Sequence, residues 1–169
     1  MAQSHSDIVT RFYEAFSRRD GREMAACYAP DARFSDPVFP DLRGAEPGAM
    51  WRMLTERGKD LQVRLVFHDV DADGATANWV ADYTFTQTGR QVHNEVQAAF
   101  RFSDGLIAEH RDQFSFYAWA RQALGPMGLA LGWTPLVRGK VRDQAADGLR
   151  QFMAAERDER DERPADGSA

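Results

Sequence analysis

Apolar residues recur every three or four positions in the first third of the chain and every second position through the middle. Ile8, Val9, Phe12 and Phe16 form one helical stripe, and Ser4 with Asp7 three residues on has the spacing of a capping box. Asp20 and Glu23 repeat that signature before Met24, Cys27 and Tyr28, which predicts a second short helix ended by Tyr28-Ala29-Pro30-Asp31. A short extended piece, Ala32 to Ser35, leads into the loop Asp36-Pro37-Val38-Phe39-Pro40. Residues before proline are pushed out of the helical region, so this loop is stiff and non-helical. Pro47 suits the first turn of a third helix running to about Arg57, with Met50, Trp51 and Leu54 facing inward.

The period then drops to two. Leu61, Val63, Leu65 and Phe67 alternate with polar residues, as do Trp79, Ala81, Tyr83 and Phe85, and then Val92, Asn94, Val96, Ala98, Phe100 and Phe102. Turn signals at Asp71-Ala72-Asp73-Gly74, Thr88-Gly89 and Ser103-Asp104-Gly105 separate these strands. A hairpin symmetric about Thr88 would set Tyr83 opposite Asn94 and Ala81 opposite Val96. In the last strand, Leu106 to Phe116, the residues His110, Asp112, Phe114 and Phe116 share one face. If the two rings make that face the buried one, a histidine and a carboxylate go inside with them. An unpaired carboxylate in an apolar interior is costly, so it needs a partner or a purpose. Two readings stand: a buried His–Asp hydrogen bond that stiffens the core, or the titratable floor of a ligand pocket.

Beyond that strand, Tyr117 to Leu124 reads as a short helix stopped by Gly125-Pro126, and an apolar, glycine-punctuated segment runs from Met127 to Trp133. Thr134 and Pro135 open a final amphipathic helix, with Val137, Val141, Ala145, Leu149 and Phe152 as its stripe, to about Ala155. Residues 156–169 are charged and then Pro/Gly/Ser-rich, and are expected to be disordered. Helices first and an antiparallel meander after them give an α+β class. The chain is expected to be one domain over residues 1–155, with its core at 4–117 and a helical extension at 117–155.

The bulk numbers narrow the partners. A chain of 169 residues, 43% hydrophobic and 28% charged, is an ordinary globular domain. Its net charge of −5 argues against a nucleic-acid surface. The single cysteine, Cys27, lies on an apolar helical stripe and forms no internal disulfide. The start MAQSHSDIV lacks a basic, apolar leader, and no apolar run is long enough to span a bilayer, so a cytoplasmic protein without a membrane partner is expected. The histidines at 5, 68, 93 and 110 are scattered, and only His110 has a carboxylate on its own face, so no metal is expected. His93 and Glu95 should point to solvent or a partner copy. No glycine-rich phosphate loop follows a strand, so no organic cofactor is expected.

The run Asp31-Ala32-Arg33-Phe34-Ser35-Asp36-Pro37-Val38, followed by Arg43-Gly44, resembles the SnoaL-like and ketosteroid-isomerase-like proteins of the nuclear transport factor 2-like superfamily. The resemblance continues through Phe100-Arg101-Phe102-Ser103-Asp104-Gly105-Leu106-Ile107 and His110-Arg111-Asp112-Gln113-Phe114, and covers Ile8 to Phe116. It implies a cone: a curved antiparallel sheet wrapped around the N-terminal helices, with a small, mostly apolar ligand in its open end. Dimers packed through the sheet are common in such proteins, so the resemblance implies a homodimer formed through the sheet. Asp36 matches the isomerases' proton-abstracting aspartate. That reaction also needs donors for the developing oxyanion. Phe12 falls where the tyrosine donor belongs, with Tyr13 adjacent, and the second donor position falls on Ala98, so a standard steroid isomerase is not implied. Arg111-Asp112 with Phe114 resembles the last strand of the limonene epoxide hydrolase branch, but Arg111 points outward and no inward Arg-x-Asp pair is found. SnoaL-type cyclases use an acidic pocket residue as acid and base, a role that suits His110 with Asp112.

These readings combine into an expectation of a small, mostly apolar, oxygen-bearing ligand held in the cone. Acid/base chemistry of isomerase or cyclase type would rest on Asp36, His110 and Asp112. Tyr83 and Asn94 would orient the ligand, and Phe12, Tyr13, Trp79 and Phe114 would line the site. The competing readings are a non-catalytic binding or assembly module and epoxide-hydrolase-like water activation. Asp36 reads equally as a turn residue bonded to nearby backbone. The segment Gly125 to Trp133 reads as a lid over the cone's mouth or as part of a subunit interface.

Overall fold

In the computed structural model, which describes residues 4–162, the elements follow in the order α1 His5–Ser17, α2 Gly21–Ala26, β1 Tyr28–Ser35, β2 Leu42–Arg43 and α3 Glu46–Arg57. Then come β3 Gln62–Val70, β4 Ala75–Phe85, β5 Arg90–Ser103, β6 Leu106–Gln113, α4 Phe116–Ala123, α5 Pro126–Leu131 and α6 Pro135–Asp161. The strands make one six-stranded sheet in the order β2-β1-β6-β5-β4-β3. From β3 to β6 it is the expected antiparallel meander. α1 begins with the capping box read from Ser4 and Asp7, and it buries Ile8, Val9, Phe12, Tyr13 and Phe16 inside the curve of the sheet.

Several expectations need correction. Strands do not all follow the helices: Tyr28 opens β1, which runs parallel to β6, and β2 pairs back on β1. Pro30 is accommodated because it lies in the irregular stretch between the Tyr28 and Arg33 pairings, where a missing N–H costs no ladder bond. On α3, Met50 and Trp51 are buried as expected, but Met53 is buried and Leu54 is exposed. In β3 a bulge between Leu65 and Phe67 reverses the alternation, which turns Phe67 out to solvent. The β4–β5 hairpin closes at Phe85 and Arg90, with Gly89 at φ 69°, so Tyr83 faces Val92 and Ala81 faces Asn94. That differs by two residues from the symmetric hairpin, and a two-residue shift leaves every side chain on its face. Hence the inward set of β5 survives the error.

The C-terminal extension is longer than its pattern suggested. Strand β6 stops at Gln113, Ser115 caps α4, and Phe116 becomes the first helical residue rather than a strand residue. α6 continues past Ala155 to Asp161, and residues 163–169 of the expected tail lie outside the described residues. Arg52 on α3 makes a paired contact with Glu156 at 2.7 and 2.8 Å, which ties the far end of α6 to the body. α4 lies across the first half of β5 and builds a second small core from Val92, Phe116, Trp119, Ala120 and Ala123. The β6 ladder reaches only to Gln97 of β5, and beyond it the side-chain amide of Gln122 takes over. It accepts from the His93 N–H at 2.8 Å and donates to the His93 carbonyl at 3.0 Å, as a neighbouring strand would.

Candidate functional site

β6 carries His110 and Asp112 inward, and both side chains are almost wholly buried. Their order follows from donor counting. The Trp51 indole has only a proton to give, and it donates to the Tyr28 hydroxyl at 2.8 Å. The Tyr28 proton then goes to His110 Nδ1 at 2.6 Å; were Nδ1 protonated, the hydroxyl would face two donors and its own proton would have no acceptor. His110 is therefore the tautomer protonated on Nε2, which donates to Asp112 Oδ1 at 2.9 Å. The Trp79 indole reaches the same oxygen at 3.4 Å. Asp112 Oδ2 makes no hydrogen bond among the described residues. The relay is walled by rings: Phe12, Phe34 and Phe100 all lie within 5.5 Å of His110, centroid to centroid.

The second acid arrives on the loop after β1. Asp36 is half-buried, and its Oδ1 accepts from the N–H groups of Val38 and Phe39 at 2.7 and 2.5 Å, the turn geometry its sequence allowed. Its other oxygen has no hydrogen-bond partner among the described residues. Burial pushes the Asp36 carboxyl up to about 7; the Asp112 charge adds to the rise, while the two N–H groups and Arg142 oppose it. Tyr83 is pushed up by burial and by Asp36, against the 2.8 Å bond it receives from the Trp119 indole. Tyr13 is pushed well up by burial and then by Asp112, and its buried hydroxyl is without a hydrogen-bond partner among the described residues. The Asp112 charge thus acts on both Asp36 and Tyr13, and the Asp36 charge acts on Tyr83.

The remaining expected residues divide. Asn94 sits on the inner face of β5, half-buried, with no side-chain partner among the described residues. Trp79 contacts the relay directly. Phe114 is half-buried at the seam between the two cores. Phe12 is fully buried among Tyr28, Trp51, Phe100 and His110, so it is a wall of the relay. His93 faces outward, bonded to Asp82 at 2.6 Å. Arg111 is exposed on the outer face.

Sequence reasoning missed Tyr28, Trp119 and Arg142. Tyr28 alternates with Ala32 and Phe34, a period-two signal that the preceding helix hid. Trp119 and Arg142 belong to the extension. Arg142 Nε donates to the Pro37 carbonyl at 2.9 Å, pinning the Asp36 loop to α6. The extension thus packs α4 and α6 against Tyr83, Val92 and the Asp36 loop. Open grooves of about 670 and 650 Å³ lie elsewhere, on the outer face of the sheet around Arg33, Arg101 and Glu109, and between α3 and α6 around Arg22 and Phe152. His110 borders the first of them, but its side chain is fully buried and does not open on it. Among the described residues no group of three acidic, histidine or cysteine side chains is placed to hold a metal ion, and no helix is long and apolar enough to cross a membrane.

A SnoaL-like domain model matches residues 9–110. No curated protein matches the chain. Solved structures do. A Catenulispora acidiphila protein with a ketosteroid isomerase-like fold, solved with trimethylamine, has a TM-score of 0.62 at 18% identity, over 76% of this chain and 98% of that one. A candidate SnoaL-like polyketide cyclase from Jannaschia gives 0.62 at 17%, over 72% and 92%. An LEH-like epoxide hydrolase from M. tuberculosis gives 0.58 at 20%, over 73% and 90%. At these identities the likeness is one of fold. The matched domain ends at His110, so α4, α5 and α6 all lie beyond it.

Proposed function

The chain belongs to the SnoaL-like domain family, and from that premise we propose that it is an acid/base enzyme for a small, mostly apolar molecule bearing an oxygen. One observation carries the reading. Two carboxylates from separate elements, Asp36 and Asp112, each have one oxygen tied to the protein and the other without a partner among the described residues, and the Asp112 charge helps to raise the Asp36 carboxyl. A group that titrates near neutrality both takes and returns a proton, which is the property a general acid/base needs. With its carboxyl pushed up to about 7, Asp36 has that property. It would remove the proton beside the ligand's carbonyl and return it at a second position. The unpartnered Tyr13 hydroxyl is the donor available to the developing oxyanion, although Phe12 occupies the aligned position. Asn94 would orient the ligand oxygen. The Trp51–Tyr28–His110 relay would hold Asp112 fixed as the second acid/base partner.

A non-catalytic binding module is the second reading, favoured by the way Trp119 already engages Tyr83 under α4. Epoxide opening has less support, because Arg111 stands on the outer face.

The test is solvent deuterium exchange into the α-positions of a panel of cyclic ketones and enones, followed by proton NMR, beside a thermal-shift screen of the same panel. Wild-type protein should catalyse exchange, and Asp36→Asn and Asp112→Asn should each slow it by about 100-fold or more. Unchanged rates in both variants refute the catalytic assignment. Thermal shifts without exchange in the wild type move the conclusion to the binding module.

A further inference from the structure

Helix α5 rests on α4 through Gly128, where the backbone of Ala120 comes so close that a Cβ has no room. The opposite side of α5 and the first turn of α6 project outward. Met127, Leu129 and Leu131 are exposed there, Trp133 is 70% exposed and Leu136 74% exposed. Single exposed apolar residues are ordinary, but a contiguous set of this size marks an interaction site. Several of the knuckle's polar groups are bonded within it. Trp133 Nε1 donates to the Ala130 carbonyl at 3.0 Å, Thr134 Oγ1 to the Leu131 carbonyl at 2.6 Å, and Gly132 N–H to the Gly128 carbonyl at 2.9 Å. These groups lose no partner when the knuckle enters an apolar medium. Charge points the same way. In a chain of net charge −5, no Asp or Glu occurs from Gln113 to Arg142, while Arg121, Arg138 and Lys140 are exposed beside the knuckle.

We propose that α5 and the start of α6 dock the protein on an anionic lipid surface. Trp133 and Leu136 sit in the boundary between headgroups and acyl chains, and Arg121 and Lys140 meet the lipid phosphates. The contact is in-plane, since no described helix can span a bilayer. It replaces the expectation of no membrane partner with a peripheral one. α5 rides on α4, and α4 packs against Tyr83 and Val92, so the docked face lies one helix away from Tyr83. Docking uses none of the proposed catalytic groups, so docking and catalysis fail separately.

The experiment is flotation of the full chain with vesicles of phosphatidylcholine alone and of phosphatidylcholine with phosphatidylglycerol, with light scattering of the lipid-free protein. Wild-type protein should float with the anionic vesicles and dissociate as salt rises. Trp133→Glu/Leu136→Glu should lower partitioning at least about tenfold. Arg121→Gln/Lys140→Gln should weaken it while leaving the circular dichroism unchanged. Equal binding to phosphatidylcholine alone overturns the anionic assignment. No binding overturns the proposal, and a wild-type dimer that Trp133→Glu/Leu136→Glu dissociates would assign the knuckle to a second copy of this chain instead.

Discussion

Replacing Asp36 with Asn should make the protein more stable at alkaline pH, even as it removes the proposed base. In the folded protein this carboxyl rises from 3.8 to about 7, chiefly through burial. The native state therefore holds the proton more tightly than the unfolded chain does. The associated stability is fully present below about 3.8, is lost as pH rises towards 7, and stays lost above it. At 1.36 kcal/mol per pKa unit the ceiling is roughly 4 kcal/mol. Asp36 is only half-buried, so solvent screening brings the expected figure to about 1–3 kcal/mol. Asn keeps the oxygen that accepts from Val38 and Phe39, so the turn survives. Urea unfolding of both proteins at a series of pH values from 4 to 8.5 reads the effect of Asp36 and its coupling to Asp112 and Tyr83, because the uncoupled titrating groups cancel in the difference. The curves should meet near pH 4 and separate towards pH 8, with the variant more stable. A difference that does not change with pH, or a variant less stable at pH 8, would show that Asp36 ionises without burial cost and refute the account of its environment.

Three further outcomes follow from hydrogen bonding and packing. Tyr28→Phe keeps the ring but strands the Trp51 N–H and His110 Nδ1 in a dry interior, and at about 1–3 kcal/mol per orphaned group it should cost roughly 2–6 kcal/mol in urea unfolding. Nitrogen NMR should find the Nε2-protonated tautomer of His110 in the wild type, and a mixed or Nδ1-protonated ring there would reverse the direction of the relay. Gly128→Ala should force α5 off α4 at a cost of about 1–3 kcal/mol, read as faster amide exchange in residues 126–132, while the β5–β6 amides stay protected.

The meander was legible because each of its strands buries one face, so period two survives shifted turns, although the β3 bulge reversed it beyond Leu65. The Tyr83–Asn94 pairing was wrong while both residues stayed on the expected face. His110 and Asp112 were legible for the same reason. Tyr28 was not: a parallel strand begins directly after a helix, and a single aromatic there reads as either. Asp36 was found through its loop, but its dependence on Arg142 joins residues more than a hundred positions apart, which no local pattern carries. Leu54 and Met53 exchanged roles because a helix face one residue wider than its stripe has no sharp border in sequence.

The Gln122 amide has a consequence for solubility. Between Arg90 and Val96, β5 is paired only on its β4 side, and an unpaired strand flank is a template for another chain. Gln122 occupies both hydrogen-bonding positions of His93, and α4 shields the rest of that flank. The extension beyond the matched domain is thus also a guard against edge-to-edge aggregation. Cutting the chain at the boundary of the matched domain would expose a strand ready to add to its own copies.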